Sequence, residues 1–171
     1  MSHQIDEVRS LLDRSVAVDA AVKALSLALE QPNKDPRFTL RGIEYKALLD
    51  KHGFSVTLHG VTLSSVYEQV LDRSADCPDI FGRVQLRLPG DGENPGEIIL
   101  SLLIADTGDY SDDGTSHLGY STYDVTGRPS DINRYRLSLA IAKSLQDTLH
   151  VLSPATPIPC DLTLTDSLDV A

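Results

Sequence analysis

Three oxygen-bearing side chains occupy alternate positions in one short acidic stretch of the chain. They are Asp109, Ser111 and Asp113, and Gly114 follows directly. Calcium binds several carboxylate, hydroxyl or carbonyl oxygens at once, so side chains at alternate positions of a turn can converge on one ion. Glycine permits the sharp bend that such a loop needs. These residues therefore define a candidate calcium (Ca2+) site.

The same stretch resembles the first half of an EF-hand calcium loop, but its second half departs from that pattern. Tyr120 stands at the twelfth position, where the loop requires a glutamate, and Ser116 stands at the eighth, where it requires an aliphatic residue. The residues before the loop also predict a strand rather than a helix. Calcium binding is therefore one alternative, and a solvated acidic turn is the simpler interpretation.

A second candidate site combines carboxylates near this turn with a histidine. Asp106, Asp109 and His117 lie close together in the chain, and Asp124 and His59 extend the set. Neighbouring carboxylates and a histidine can act as general acid and base or as metal ligands, so a hydrolase is a further alternative. No spacing among these residues requires this arrangement. The chain also contains no nucleophile-elbow motif GxSxG and no phosphate-binding motif GxxxxGK[ST].

The charge of the chain restricts the partners that it can bind. The 171 residues include 25 acidic and 15 basic side chains, which gives a formal net charge of −10. Phosphate groups are neutralised by clustered lysine and arginine, so this balance argues against nucleic acid and acidic membranes as partners. It is compatible with a basic protein partner. Cys77 and Cys160 lack metal-ligand spacing, so neither a zinc site nor a disulfide framework is expected.

The chain shows no sign of export or membrane insertion. Its first residues are polar and charged, unlike a secretory signal. Its apolar runs are far shorter than the roughly 20 residues that span a bilayer. We therefore expect a cytoplasmic protein.

An apolar hairpin over residues 83–105 is predicted to form the centre of the fold. Val84, Leu86 and Leu88 alternate with polar residues, residues 89–96 are rich in turn formers, and residues 97–105 are apolar on both faces. Further strands are predicted near residues 54–58 and 118–125. Helices are predicted at residues 4–30, 40–52, 62–73 and 131–152. The prediction is an α+β fold: a small antiparallel sheet of three or four strands, covered by a long N-terminal helix and a C-terminal helix.

The domain organisation follows from a change of composition after residue 152. Residues 1–152 are predicted to form a single α+β domain. Residues 153–171 contain Pro154, Pro157 and Pro159, and are predicted to form an extended or disordered tail. Leu162 and Leu164 alternate with threonines, so this tail is also a candidate strand for a neighbouring subunit.

The first predicted helix carries a heptad-like pattern of apolar residues. The pattern keeps a 3.5-residue register that only Ser15 interrupts. Two interpretations are open: a partner-binding seam of a homo-oligomer, or a helix packed on its own sheet. The candidate seam residues are Val8, Leu11, Val18, Val22 and Leu25.

A winged-helix-like DNA-binding protein is another alternative. Residues 40–52 and 62–73 would be its two helices, and residues 83–105 would be its wing. The tip of this wing holds Asp91 and Glu93, which would repel phosphate.

The interpretation that these patterns favour is a non-catalytic, acidic protein that binds another protein or assembles with copies of itself. A bacterial or phage accessory protein or inhibitor would fit this description. The basis is the heptad-like helix, the acidic composition and the absence of a strong catalytic motif.

Overall fold

Two long helices begin and end the part of the chain that the structure describes, which is residues 2–74 and 78–152 of a computed structural model. Helix α1 spans Ser2–Glu30 and helix α2 spans Asp131–Leu152. No glycine or proline interrupts α1, and Pro32 follows its last residue closely. At the start of α2, the hydroxyl of Ser130 accepts a hydrogen bond from the backbone N–H of Asn133 (3.3 Å) and so caps the helix.

Seven antiparallel strands lie between the helices and form one curled sheet, a half-barrel. Each strand pairs with the next along the chain, so the order in the sheet is the order in the sequence. The strands are β1 Ile43–Leu48, β2 Gly53–Leu58, β3 Val61–Asp72, β4 Asp79–Arg87, β5 Ile98–Ile104, β6 Asp109–Ser111 and β7 Tyr120–Ser121.

The prediction of a small sheet with three or four strands is wrong, because two predicted helices are strands and the predicted acidic turn contains a further strand, β6. Residues 40–52 contain β1, and residues 62–73 lie almost wholly in β3. In β1, half-buried Ile43 and Tyr45 alternate with exposed Glu44 and Lys46, which is the period of a strand. The winged-helix alternative required both of these helices, and it therefore has no structural basis.

The connection between β2 and β3 shows why the chain turns back there instead of starting a helix. Leu58 pairs with Val61, so only His59 and Gly60 form the turn. Both have positive φ, 50° and 79°, as a two-residue type I′ hairpin requires. The predicted strand over residues 118–125 is also wrong in extent, because only Tyr120–Ser121 is a strand.

The other predicted elements are confirmed. Both terminal helices, β2 and the β4–β5 hairpin lie close to the predicted positions. The prediction that residues 1–152 form a single domain is not tested, and the predicted tail of residues 153–171 lies outside the described residues. Among the residues described, no helix is long and apolar enough to cross a membrane.

The core lies on one face of the sheet, where both helices pack. Val22 and Leu25 of α1 share it with Leu137 and Ile141 of α2. A smaller cluster lies apart from it, where Phe81, Leu103 and Ala105 pack with Val70 and Leu118. The sheet residues buried in the main core are Phe54, Val56, Leu58, Leu63, Val84, Leu86, Leu102, Ile104 and Tyr110.

Candidate functional site

The oxygens of the candidate calcium loop are engaged in local hydrogen bonds. The carboxylate of Asp109 accepts the hydroxyl of Ser121, and the buried hydroxyl of Ser111 donates to the carbonyl of Thr115 (2.6 Å). One carboxylate oxygen of Asp113 accepts both the backbone N–H (3.0 Å) and the hydroxyl (2.7 Å) of Thr115. These bonds, the backbone one first, hold the pKa of Asp113 below its ordinary value.

The metal-binding prediction gains no support from this arrangement. In residues 2–74 and 78–152, no group of three or more His, Cys, Asp or Glu side chains is placed to hold a metal ion. Asp109 and Ser111 also lie within strand β6, and the residues that follow lead to strand β7, whereas an EF-hand loop connects helices. Calcium binding at Asp109, Ser111 and Asp113 stays a prediction.

The residues of the candidate hydrolytic site have separate roles in the fold. Asp106 accepts a hydrogen bond from the Nε of Arg14 (3.1 Å), and His117 is exposed. Asp124 lies in a turn where the hydroxyl of Thr126 lowers its pKa. His59 lies in the β2–β3 turn, several strands away from β6 and β7. The structure does not bring the set together, and the hydrolase alternative stays a prediction.

The predicted partner-binding residues of α1 fall into two groups. Val18, Val22 and Leu25 are buried in the core of their own chain. Val8 is exposed and Leu11 is half-buried. The predicted seam residues in the C-terminal half of α1 are therefore packed on their own sheet, and of the five predicted residues only those in the N-terminal half are accessible to a partner.

Four large apolar side chains on the N-terminal half of α1 face the solvent. Ile5 is 64% exposed, Val8 57%, Leu12 63% and Val16 70%. At about 100° per residue, they fall within an arc of about 80°. We call these four residues the apolar stripe. Its centre lies roughly 110° around the helix from the buried face, so it is a second face of α1.

Polar contacts with β3 hold α1 in the rotation that leaves the stripe exposed. The hydroxyl of Ser15 donates to the side chain of Gln69 (2.6 Å), and the amide of Gln69 donates to Asp19 (2.8 Å). Tyr67 also donates to Asp19 (2.5 Å). Burial, followed by this contact, raises the pKa of Tyr67. Leu71, two residues beyond Gln69 on the same face of β3, is 42% exposed and adds apolar surface.

An arginine fixes the middle of α1 to the ends of two strands. Arg14 forms an ion pair with Asp79 at the start of β4 and donates its Nε to Asp106 after β5. Both pairs are partly exposed, so each adds little to stability. Their geometric effect is to orient the helix immediately before the point where its core packing begins.

A second arginine, Arg134 of α2, is buried and joins the two helices. It is 4% exposed, and it donates to the carbonyls of Ala28 (2.7 Å) and Gln31 (2.5 Å) and to the carboxylate of Asp131 (2.5 Å). Its Nε has no hydrogen-bond partner among the described residues. Arg134 thus donates hydrogen bonds to carbonyls at the end of α1, where the helix itself provides no N–H donor.

A cavity of about 430 Å³ adjoins Arg134. Tyr45 and Ser138 also line it, and their hydroxyls are hydrogen-bonded to each other (2.8 Å). Burial raises the pKa of Tyr45. Glu30 and Glu44 are exposed members of the lining. The charge of Arg134 is already matched by Asp131, so the cavity has no free positive charge to select an anionic ligand.

No protein-family model, curated protein or solved structure matches the chain.

Among the described features, the apolar stripe is the strongest candidate for a binding surface, because it exposes four large apolar side chains to water. The heptad pattern does not include Ile5, Leu12 and Val16, because most of its residues lie on the buried face of α1. The spacing from residue 5 to 8, 12 and 16 was the signal that would have found them.

Proposed function

We propose that this protein is non-catalytic and works by binding a protein surface, its own or that of another protein, through the apolar stripe of α1. The observation that carries the proposal is the exposure of four large apolar side chains on one face of a helix held by its own sheet. Contiguous apolar patches on a protein surface often mark sites of interaction.

The free energy available at the stripe is sufficient for association. Full burial of a Val, Leu or Ile side chain stabilises by about 1.5–3 kcal/mol. Because each of the four is a little over half exposed, burying the stripe would contribute roughly 4–8 kcal/mol per molecule. A partner that buries a similar apolar area doubles this contribution to roughly 8–16 kcal/mol. Association itself costs about 4–15 kcal/mol, so the stripe supports a specific but moderate affinity.

The charges around the stripe support the same proposal. Residues 5–17 contain three acidic and two basic side chains, although the whole chain has a net charge of −10. The stripe therefore lies on a nearly neutral part of an acidic protein. The four residues of the stripe are themselves uncharged, as the centre of an interface requires, since charged groups are costly to remove from water.

Site-specific photo-crosslinking tests the proposal. A photoreactive phenylalanine analogue replaces Leu12 in the stripe or, as a control, exposed Ser10 on the same turn of α1 but outside the stripe. On irradiation of the producing cells, we expect discrete protein adducts from position 12 and none from position 10. If position 12 gives no adduct above the position 10 background, the proposed function is wrong.

A further inference from the structure

We infer that the partner of the apolar stripe is a second copy of this chain, with the two α1 helices antiparallel around a twofold axis. The inference rests on the proposed function and names the partner of the same surface. It follows from the spacing of the apolar residues, from the charges beside them and from the length of the exposed helix.

The stripe is complementary to itself when one copy is reversed. Ile5 and Val16 lie at nearly equal distances on either side of a midpoint near residues 10 and 11, and so do Val8 and Leu12. A twofold axis at this midpoint places Ile5 against the partner's Val16 and Val8 against the partner's Leu12. Every exposed side chain of the stripe then meets an apolar side chain, as a self-complementary twofold interface requires.

The charges beside the stripe favour the antiparallel arrangement over the parallel one. Arg9 and Asp13 lie on the same flank of the stripe, one turn apart. In an antiparallel pair, equivalent flanks face each other, so Arg9 lies close to the partner's Asp13, and the twofold axis repeats the contact. A twofold parallel pair would place this flank against the opposite flank of the partner, where Leu11 and Ser15 offer Arg9 no carboxylate.

The length of the stripe limits the size of the interface and hence the affinity. Residues 5–16 of a helix extend about 18 Å, so two crossing helices bury an area near the lower end of specific interfaces, on the order of 1,000 Å². After the cost of association, we expect a dissociation constant on the order of 1–10 µM. The dimer is therefore expected to dissociate on dilution.

Sedimentation velocity of the purified chain between about 1 and 100 µM tests the dimer. The wild type should shift from monomer to dimer over this range. Leu12→Glu should stay monomeric, with its dissociation constant raised at least about 100-fold, because it places two carboxylates in an apolar contact. Ser10→Glu adds the same charge outside the stripe and should behave as wild type. A wild type that is monomeric at about 100 µM, or a dimer that survives Leu12→Glu, would overturn the inference.

Disulfide trapping tests the antiparallel register. In a chain whose Cys77 and Cys160 are replaced by serine, Val8→Cys and Leu12→Cys are made separately. Mixing the two variants under mild oxidation should give crosslinked heterodimers faster than either variant alone, since a disulfide requires Cβ atoms about 3.5–4.5 Å apart. Crosslinking that is as fast in each single variant as in the mixture would disprove this register.

The two proposals fail in different ways. A purified chain that stays monomeric while position 12 crosslinks to a different protein in cells would overturn the second-copy inference and leave the proposed function standing. A monomer without any adduct from position 12 would overturn both.

Discussion

Replacing Arg134 by methionine should destabilise the fold more than any exposed substitution in α2. Methionine keeps most of the side-chain volume but removes the donors that reach Ala28, Gln31 and Asp131. Two carbonyls at the end of α1 would lose their partner, and the carboxylate of Asp131 would lose its ion pair. The contact between the first and the last helix would then depend on apolar packing alone.

The expected loss is about 3–4 kcal/mol in the free energy of unfolding. Leaving one buried polar group without a partner costs about 1–3 kcal/mol, and breaking a buried ion pair costs about 3–5 kcal/mol. Two features reduce the sum. Asp131 is 21% exposed and still accepts the backbone N–H groups of Lys34 and Asp35. Methionine also removes the Nε of Arg134, which is already buried without a partner.

Urea denaturation followed by circular dichroism measures this loss. For a chain of this length, about 3–4 kcal/mol corresponds to a melting temperature roughly 10 °C lower. Arg136→Met is the matched control, because Arg136 lies two residues further along the same helix and is exposed. It should change stability by no more than about 0.5 kcal/mol. If Arg134→Met costs less than about 1 kcal/mol, Arg134 does not hold the two helices together as described.

Two further predictions concern the core. Gly82→Ala should lower the free energy of unfolding by about 1–3 kcal/mol, because a Cβ at this position would lie 2.8 Å from the side chain of Val22. Gly119 has open space around it, so Gly119→Ala should be nearly neutral in the same urea titration. Burial raises the pKa of Tyr45 and Tyr110 above the ordinary value of 10, so the unfolded chain loses these protons at lower pH than the folded chain. This contribution to stability is complete below about pH 9 and is lost as the pH rises past 10. Tyr45→Phe should therefore make the decline in urea midpoints between pH 8 and 11 less steep than in the wild type. An unchanged slope would contradict the burial of the Tyr45 hydroxyl.

The elements that were predicted correctly are those with strong local signals. In α1, the absence of glycine and proline up to Pro32 defines the helix, and in β5 an apolar run broken only by Ser101 predicts a strand. Ser130, as N-cap, marks the start of α2. Each of these signals is local, so the surrounding structure does not alter its meaning.

The strand β3 was mistaken for a helix because polar residues occupy inward positions in it. Ser65 interrupts the alternation of apolar side chains because its hydroxyl accepts the backbone N–H of Phe54 (2.9 Å). Gln69 interrupts it again because it binds Ser15 and Asp19 of α1. These partners are distant in the sequence, so the reason for each polar residue is visible only in the folded chain.

The candidate site was predictable only in part for a similar reason. The heptad pattern of α1 was identified correctly, but its residues Val18, Val22 and Leu25 pack in the core of their own chain rather than against a partner. Which face of a two-faced helix is left exposed depends on the sheet opposite it, and that sheet was predicted with too few strands. Arg134 gave a signal that was overlooked: it is a charged residue in line with the buried positions Leu137 and Ile141 of α2.

The order of the strands also sets the order in which the chain can fold during synthesis. Every strand pairs with its predecessor, so the hairpins can form one after another as the chain leaves the ribosome. Helix α1 emerges first, yet the carbonyl of Ala28 finds its donor 106 residues later, in Arg134. Until that residue emerges, the first helix and the growing sheet share an incomplete core with exposed apolar surface. Translation must therefore reach α2 before the nascent domain can close, and ribosome pausing ahead of α2 would prolong its exposure to chaperones and proteases.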